Sequence, residues 1–405
     1  MLNLSFALQQ KLLPVCCRGS NHGAQAREVF PLNQFPPAWP GMREEDVETP
    51  ALLVDLDAFE ANLARMPKLL APSGVRLRAH AKTHKSPIIA RLQQRHGAIG
   101  VCVQKVSEAE ALAWGGVDDI LVSNEIVGAR KLARLAALAR IATISICVDD
   151  PSQVAALEYA AEAAGIRLQV LVEIDVGSAR CGVAPGEDGA ALAAQIAASP
   201  GLIFGGLQAY HGSAQHLRAP EERKTQIDRA VVSVTRTLEA LARRKLACPV
   251  VSGGGTGTFE LEAASGVYTE IQAGSYIFMD EDYGRNRNAE GAPVSTFCNA
   301  LFVLSTVMSR AHPGKAVLDA GIKTLAMDSG MPRVWKLPGL RYVRASDEHG
   351  EVEIAPGSEA VSLGQKLRLV PGHCDPTVAN FDWYIGVRRG RVESVWPVDA
   401  RGALY

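Results

Sequence analysis

Short apolar runs, each followed by a segment with helical spacing, recur so regularly through this chain that few folds can take them up. The runs ALLVDL, IGVCV, DILVS, TISICV, LQVLVEID, FGGLQAY and PVVSGGG are brief and buried in character. Segments such as Ala109–Trp114, Gly128–Ala139 and Asp228–Arg244 then bring apolar residues round at helical intervals. Val47–Asp57 reads as the first strand. Seven or eight such units fit a closed (β/α)8 barrel better than an open sheet, so an α/β fold of TIM type is expected.

Polar residues gather where the runs end: Lys82, His84, Gln104, Asn124, Arg180, His211, Ser252 and Gln272. A barrel presents its chemistry on that rim. After about Pro293 the pattern turns to strands without long helices, in NALFVLSTVMS, KAVLDAG, EVEIA, KLRLV, DWYIGVRRG and RVESVWPV. The expectation is a tail at 1–40, a barrel at 41–285 and a C-terminal β domain at 286–405. The polar, turn-rich RNRNAEGAP lies at the boundary.

Composition narrows the partners. With 42 basic and 43 acidic residues, a net charge of −1 and no long run of one sign, nothing attracts nucleic acid or an anionic membrane. No uninterrupted apolar stretch is long enough to span a bilayer. Small molecules are the expected partners. The eight cysteines form no CxxC pair and sit mostly among apolar residues, which suits reduced thiols in the cytoplasm. Met1–Phe30 carries Lys11, Arg18 and Arg27 against the single acid Glu28, as both a targeting peptide and a disordered tail do.

Two segments carry chemistry. In PGHCDPT, His373 and Asp375 stand either side of one residue, directly after the alternating run KLRLV. On an extended segment, side chains at i and i+2 point the same way, as two ligands of one divalent cation must. Cys374 would then point away. A surface strand end carrying His and Asp is the plainer account of the same residues.

In RLRAHAKTHKSP, Lys82 follows a strand amid apolar and histidine neighbours, where an amine can lose its proton more easily and form a Schiff base. Lys82 and Lys85 are also what the solvated start of a helix looks like. SGGGTG, Ser252–Gly257, offers successive unhindered amides, and IQAGS, Ile271–Ser275, adds another glycine and a hydroxyl from the next loop. Barrels bind phosphate at such a place. Arg180, in VEIDVGSARCGV, could face a phenolate or carboxylate from a strand-end loop.

Taken together, RAHAKTHK, EIDVGSARCGV, GLQAYHGSAQH, SGGGTG, IQAGSYIFMDEDYG, SDEHG and LRLVPGHCDPT resemble the D-threonine aldolase and 3-hydroxy-D-aspartate aldolase group. That group belongs to the alanine-racemase-like, fold type III pyridoxal phosphate enzymes. The resemblance runs from about Pro40 to Tyr405. It implies that Lys82 carries pyridoxal 5′-phosphate and that Arg180 faces the phenolate oxygen. It also implies that Tyr210 lines cofactor and substrate, with His211 or its neighbour packed on the pyridine ring. Gln272 falls where racemases of this fold place an arginine, opposite the pyridine nitrogen, and leaves the ring unprotonated. Gly254, Gly255, Thr256, Gly274 and Ser275 become the phosphate cradle.

The resemblance also gives the cation a task. Breaking the Cα–Cβ bond turns a β-hydroxyl into a carbonyl, so a Lewis acid on His373 and Asp375 and a general base, His216, are expected at that hydroxyl. In the related D-serine and D-threo-3-hydroxyaspartate dehydratases the metal ligands resemble a His-x-Cys pair with zinc. The oxygen ligand Asp375 suits manganese or magnesium and retro-aldol cleavage instead. The expected substrate is a D-3-hydroxy amino acid, the products glycine and acetaldehyde or glyoxylate, and the assembly a homodimer. A metal-dependent dehydratase releasing ammonia shares every residue named and is the alternative. A substrate with a second carboxylate needs a cation, for which Arg333, Lys323 and Arg285 are the candidates.

Overall fold

The computed structural model describes residues 35–358 and 361–405. Most of the expected tail lies outside them. Residues 36–40 belong to the fold, because Ala38 is buried and Pro37 O accepts a hydrogen bond from Glu48 N at 3.0 Å.

Eight parallel strands close the barrel: β2 (Arg76–His80), β3 (Gly100–Val103), β4 (Asp119–Glu125), β5 (Thr143–Val148), β6 (Leu168–Glu173), β7 (Leu202–Gln208), β8 (Val251–Gly253) and β9 (Glu270–Ile271). Closure comes from β2 pairing with β9. There the buried Arg78 bonds Glu270 Oε2 at 2.9 Å and Asp119 Oδ1 at 2.5 Å. Inside the barrel Cys102, Leu121, Cys147 and Leu171 pack as one cluster. Outside it, alternate strand residues such as Val101, Ile120, Ile146 and Val170 meet the apolar faces of the helices. Strands buried on both sides give continuous rather than alternating apolar runs, which is what the sequence displays.

The first apolar run is not a barrel strand. β1 (Ala51–Asp55) lies in the second sheet, antiparallel to β10 (Leu301–Ser309) and parallel to β16 (Trp383–Arg388). A run buried on both faces reads the same in either sheet, so its pattern could not say which one it joins. The helix Leu56–Leu70 then carries the chain to β2, with Asp55 Oδ1 capping it through Ala58 N. The second sheet follows the order β13 (Leu340–Ala345), β14 (Gly350–Ile354), β11 (Lys315–Leu318), β10, β1, β16, β17 (Arg391–Pro397). β15 (Lys366–Val370) pairs with β10 and with β12 (Arg333–Val334).

Three backbone bonds tie this sheet to the barrel mouth. Glu281 N donates to Pro371 O, Asp282 N to Gly372 O, and Ala400 N to Lys85 O. Tyr384 Oη also donates to His84 O at 2.6 Å. The loop after β2 and the segment after β15 are therefore held against each other.

Candidate active site

Lys82 sits in a single 3-10 turn, Ala81–Thr83, which β2 leads into and which His80 caps through its ring. Lys85 follows in the left-handed region at φ 51° and forms a buried ion pair with Glu108. The turn is thus pinned behind Lys82, whose side chain is 42% exposed to the mouth. Its Nζ lies 3.1 Å from Asp375 Oδ2. The two sequence motifs meet in this ion pair.

The segment carrying Asp375 is not extended throughout. His373 is extended at φ −146° and ψ 125°, but it caps a short helix, Cys374–Val378, in whose first turn Asp375 lies. Asp280 accepts the Cys374 N–H at 2.9 Å, and Thr377 Oγ1 donates to His373 O at 2.7 Å. These side-chain bonds start a helix that the run KLRLV gave no hint of. Cys374 is fully buried and its thiol donates to Met279 O.

The charge on Lys82 differs from expectation. Asp375 outweighs burial and holds the amine above its ordinary value. Burial works against the Asp375 carboxyl, yet Lys82 and then His373 keep it low. His80 is pushed well below its ordinary range, by burial first and by Lys82 second, and so is neutral. The Asp375 carboxylate fits a divalent cation: Oδ1 is buried and makes no hydrogen bond among the described residues. His373 Nδ1 is taken by Asp328 Oδ2 at 2.7 Å, which leaves the lone pair of the ring's other nitrogen for a metal.

Arg180 lies 3.5 Å from Glu173 Oε1 and 5.7 Å from the centroid of the Tyr210 ring. Glu173, Glu125 and Cys181 place their ligand atoms within 4.8 Å of one another. Burial, and then the Glu125 charge, push Glu173 up to about 8. Glu173 Oε2 and Glu125 Oε1 are both buried without a donor among the described residues.

The glycine loop after β8 reaches the Tyr210 hydroxyl. Gly254 takes φ +72°, and a Cβ on Gly255 would fall 2.5 Å from Gln215 Oε1. Gln215 itself holds the loop, accepting from Gly257 N at 3.0 Å and donating to Thr258 Oγ1 at 2.7 Å. Thr256 Oγ1 accepts from Tyr276 N, which joins this loop to the Gly274–Ser275 turn. A Cβ on Gly274 would meet Thr83 Oγ1 at 2.5 Å, so this turn closes on the Lys82 turn as well. Backbone brought this close by glycine is a cradle of the kind a phosphate needs. Gln272 bonds reciprocally with Gln208 and donates to Ser252 Oγ at 2.8 Å, an entirely neutral network. His211 is buried, its Nδ1 3.2 Å from Ser178 Oγ, and its Nε2 has no partner among the described residues.

His216 ends the turn Ser213–His216, with Nδ1 2.5 Å from Asp282 Oδ2. Against its burial, Asp282 is held below the usual carboxylate range by His216 and Arg218. Asp282, Arg218, Gln215, Glu173 and Asp328 were missed as site residues. Each is an ordinary polar residue whose role appears only once distant segments meet. The three cations considered for a second carboxylate are already paired: Arg333 with Glu281, Lys323 with Glu348 and Arg285 with Asp282.

A closed barrel of eight parallel strands with an added β sheet is the architecture of the alanine-racemase-like enzymes. Enzymes of this fold family use pyridoxal phosphate. The family described as alanine racemase, N-terminal domain, matches residues 54–282, and a putative serine dehydratase domain matches residues 300–387. A 3-hydroxy-D-aspartate aldolase of Paracoccus denitrificans (strain Pd 1222) is 48% identical over 373 residues, covering 91% of this chain and 96% of its own. A D-threonine aldolase of an Arthrobacter species is 48% identical over 367 residues, with the same coverage. A D-threo-3-hydroxyaspartate dehydratase of Delftia sp. (strain HT23) is more distant, at 32% over 362 residues, covering 84% of this chain and 93% of its own. Among solved structures, D-threonine aldolase from Filomicrobium marinum superposes with a TM-score of 0.89 at 49% identity, covering 91% of this chain and all of that one. The chain belongs to the family of D-threonine and 3-hydroxy-D-aspartate aldolases and is a lyase.

Proposed function

We propose that the protein cleaves the Cα–Cβ bond of a D-3-hydroxy amino acid, of D-threonine or 3-hydroxy-D-aspartate type, to glycine and an aldehyde. The observation that carries this reading is the 3.1 Å approach of Lys82 Nζ to Asp375 Oδ2. When bound, pyridoxal phosphate on Lys82 supplies an electron sink for the bond being broken, and a divalent cation on His373 and Asp375, Mn2+ or Mg2+, a Lewis acid.

The chain's own groups do the rest. The amides of Gly254, Gly255 and Gly274, with the hydroxyls of Thr256 and Ser275, hold the phosphate. Arg180, seated on Glu173 and over Tyr210, faces the phenolate. The neutral Gln272–Gln208 pair brings no charge to the ring nitrogen. His211 packs at the wall of the site. His216 takes the β-hydroxyl proton on its free nitrogen while Asp282 steadies the ring at Nδ1.

Asp375, not a cysteine, stands two residues after His373, and an oxygen ligand there supports cleavage over dehydration. By resemblance the molecule is a homodimer. The six described cysteines are all free thiols, which suits the cytoplasm. Among the described residues, no helix is long and apolar enough to cross a membrane.

Purified protein with pyridoxal phosphate and Mn2+ is to be incubated with D-threonine and with D-threo- and D-erythro-3-hydroxyaspartate. Glycine with acetaldehyde or glyoxylate is the expected outcome. Ammonia and a 2-oxo acid instead would establish the dehydratase.

A further inference from the structure

The loop that follows β11 makes a contact that no sequence motif announced. Asp328 Oδ2 lies 2.7 Å from His373 Nδ1, and the Ser329 hydroxyl is 3.1 Å from the same oxygen and 3.5 Å from the same ring nitrogen. The loop is fixed independently of this bond. Ala326 N donates to Thr377 Oγ1 at 3.1 Å, and Ser329 O accepts from Arg285. Gly330 presses so closely on the metal segment that a Cβ on Gly372 would fall 2.0 Å from Gly330 O. A residue on a free loop would not be placed so firmly.

A neutral imidazole carries one N–H and one lone pair. With Nδ1–H donated to Asp328, the lone pair is on Nε2, and the ring is turned about its Cβ–Cγ bond to face that nitrogen elsewhere. A carboxylate behind a histidine in this way also makes the remaining nitrogen a better donor. Asp328 is half exposed, so its burial is not what retains it.

We infer that Asp328 is the positioning residue for the cation site: through His373 Nδ1 it fixes the tautomer and orientation in which Nε2 binds the metal. The inference rests on the proposed cation site of His373 and Asp375. Asp328 is not itself a ligand, since its Oδ2 is spent on the ring.

Mn2+ binding to the full chain loaded with pyridoxal phosphate tests both readings, by electron paramagnetic resonance of free Mn2+ or by calorimetry. Wild type is expected to bind, and Asp375→Ala to lose that binding. Asp328→Ala is expected to weaken it by roughly 10- to 100-fold, the usual effect of removing such a partner. Asp328→Asn, which keeps an acceptor oxygen but not the charge, should fall between the two. The visible absorbance of the lysine-bound coenzyme and the metal-free melting temperature should stay unchanged in both Asp328 variants.

If wild type binds Mn2+ and Asp328→Ala binds it equally well, the inference is overturned while the cation site stands. Loss as complete as that of Asp375→Ala would make Asp328 a ligand and also overturn it. If wild type binds no Mn2+, the cation site fails and the inference with it.

Discussion

Lys82 Nζ and Asp375 Oδ2 are 3.1 Å apart, although one follows the first barrel strand and the other lies beyond β15 of the second sheet. Neither side chain needs the other for the fold: the Lys82 turn is pinned by Lys85 and Glu108, and the Asp375 helix by Asp280 and Thr377. Two independently anchored segments thus deliver an amine and a carboxylate to one place. The amine can be given to an aldehyde coenzyme and the carboxylate to a cation.

The two groups are therefore separable by mutation. Lys82→Ala is expected to abolish the visible absorbance of bound coenzyme. Asp375→Ala should keep that absorbance and lose cleavage by roughly 100-fold or more, since Lewis-acid stabilisation is worth several kcal/mol. An Asp375→Ala protein that cleaves normally with chelator present would remove the cation from the mechanism.

Chelation should act as Asp375→Ala does, but reversibly. Dialysis against a chelator is expected to stop aldehyde formation while the coenzyme spectrum persists, and Mn2+ or Mg2+ should restore it. An imidazole and a carboxylate favour such ions over the thiolate-preferring ones, so Zn2+ is expected to restore less. Steady-state rates with each metal added back decide the order.

His216→Ala is expected to reduce kcat by about 10²- to 10⁴-fold, the range for a positioned general base. Asp282→Asn should reduce it less, because the ring keeps an acceptor at Nδ1. If neither changes kcat, the exposed His216 is only a surface partner of Asp282, and the base lies elsewhere.

Much of this was legible in the chain. The continuous apolar runs fixed a barrel because strands covered on both faces leave no polar alternation, and the HAKTHK and HCDPT segments carried their chemistry openly. What stayed hidden was whatever depends on contact between segments. Ala51–Asp55 looks like a barrel strand but pairs with β10 and β16. Asp375 lies in the first turn of a helix because Asp280 caps Cys374 from another part of the chain. Asp328 and Glu173 look like any surface acid until His373 and Arg180 are seen against them.

Barrel closure rests on a buried charge pair that can be broken from one side. Arg78 is 8% exposed and Glu270 only 1%, and the guanidinium reaches both Glu270 and Asp119. Glu270→Ala would leave Arg78 buried beside Asp119 alone. A loss of about 3–5 kcal/mol in unfolding free energy is expected from denaturant titration. A change below about 1 kcal/mol would mean that water reaches the β2–β9 seam.

Glu262 links the cradle to pH. Its side chain is fully buried behind Gly254, accepts from Thr258 Oγ1 at 2.7 Å, and has its other oxygen unpaired among the described residues. Burial pushes its carboxyl up from 4.5 to about 7. The folded form therefore keeps its proton where the unfolded chain has lost one. Stability from this group is fully present below pH 4.5, declines as pH rises toward 7, and levels off above it, a loss on the order of 3 kcal/mol. Glu262→Gln keeps the shape but cannot ionise, so its stability should fall less between pH 4.5 and 7 than that of wild type. Parallel denaturant curves at those two pH values would show the convergence, and parallel declines in both proteins would place the titrating group elsewhere.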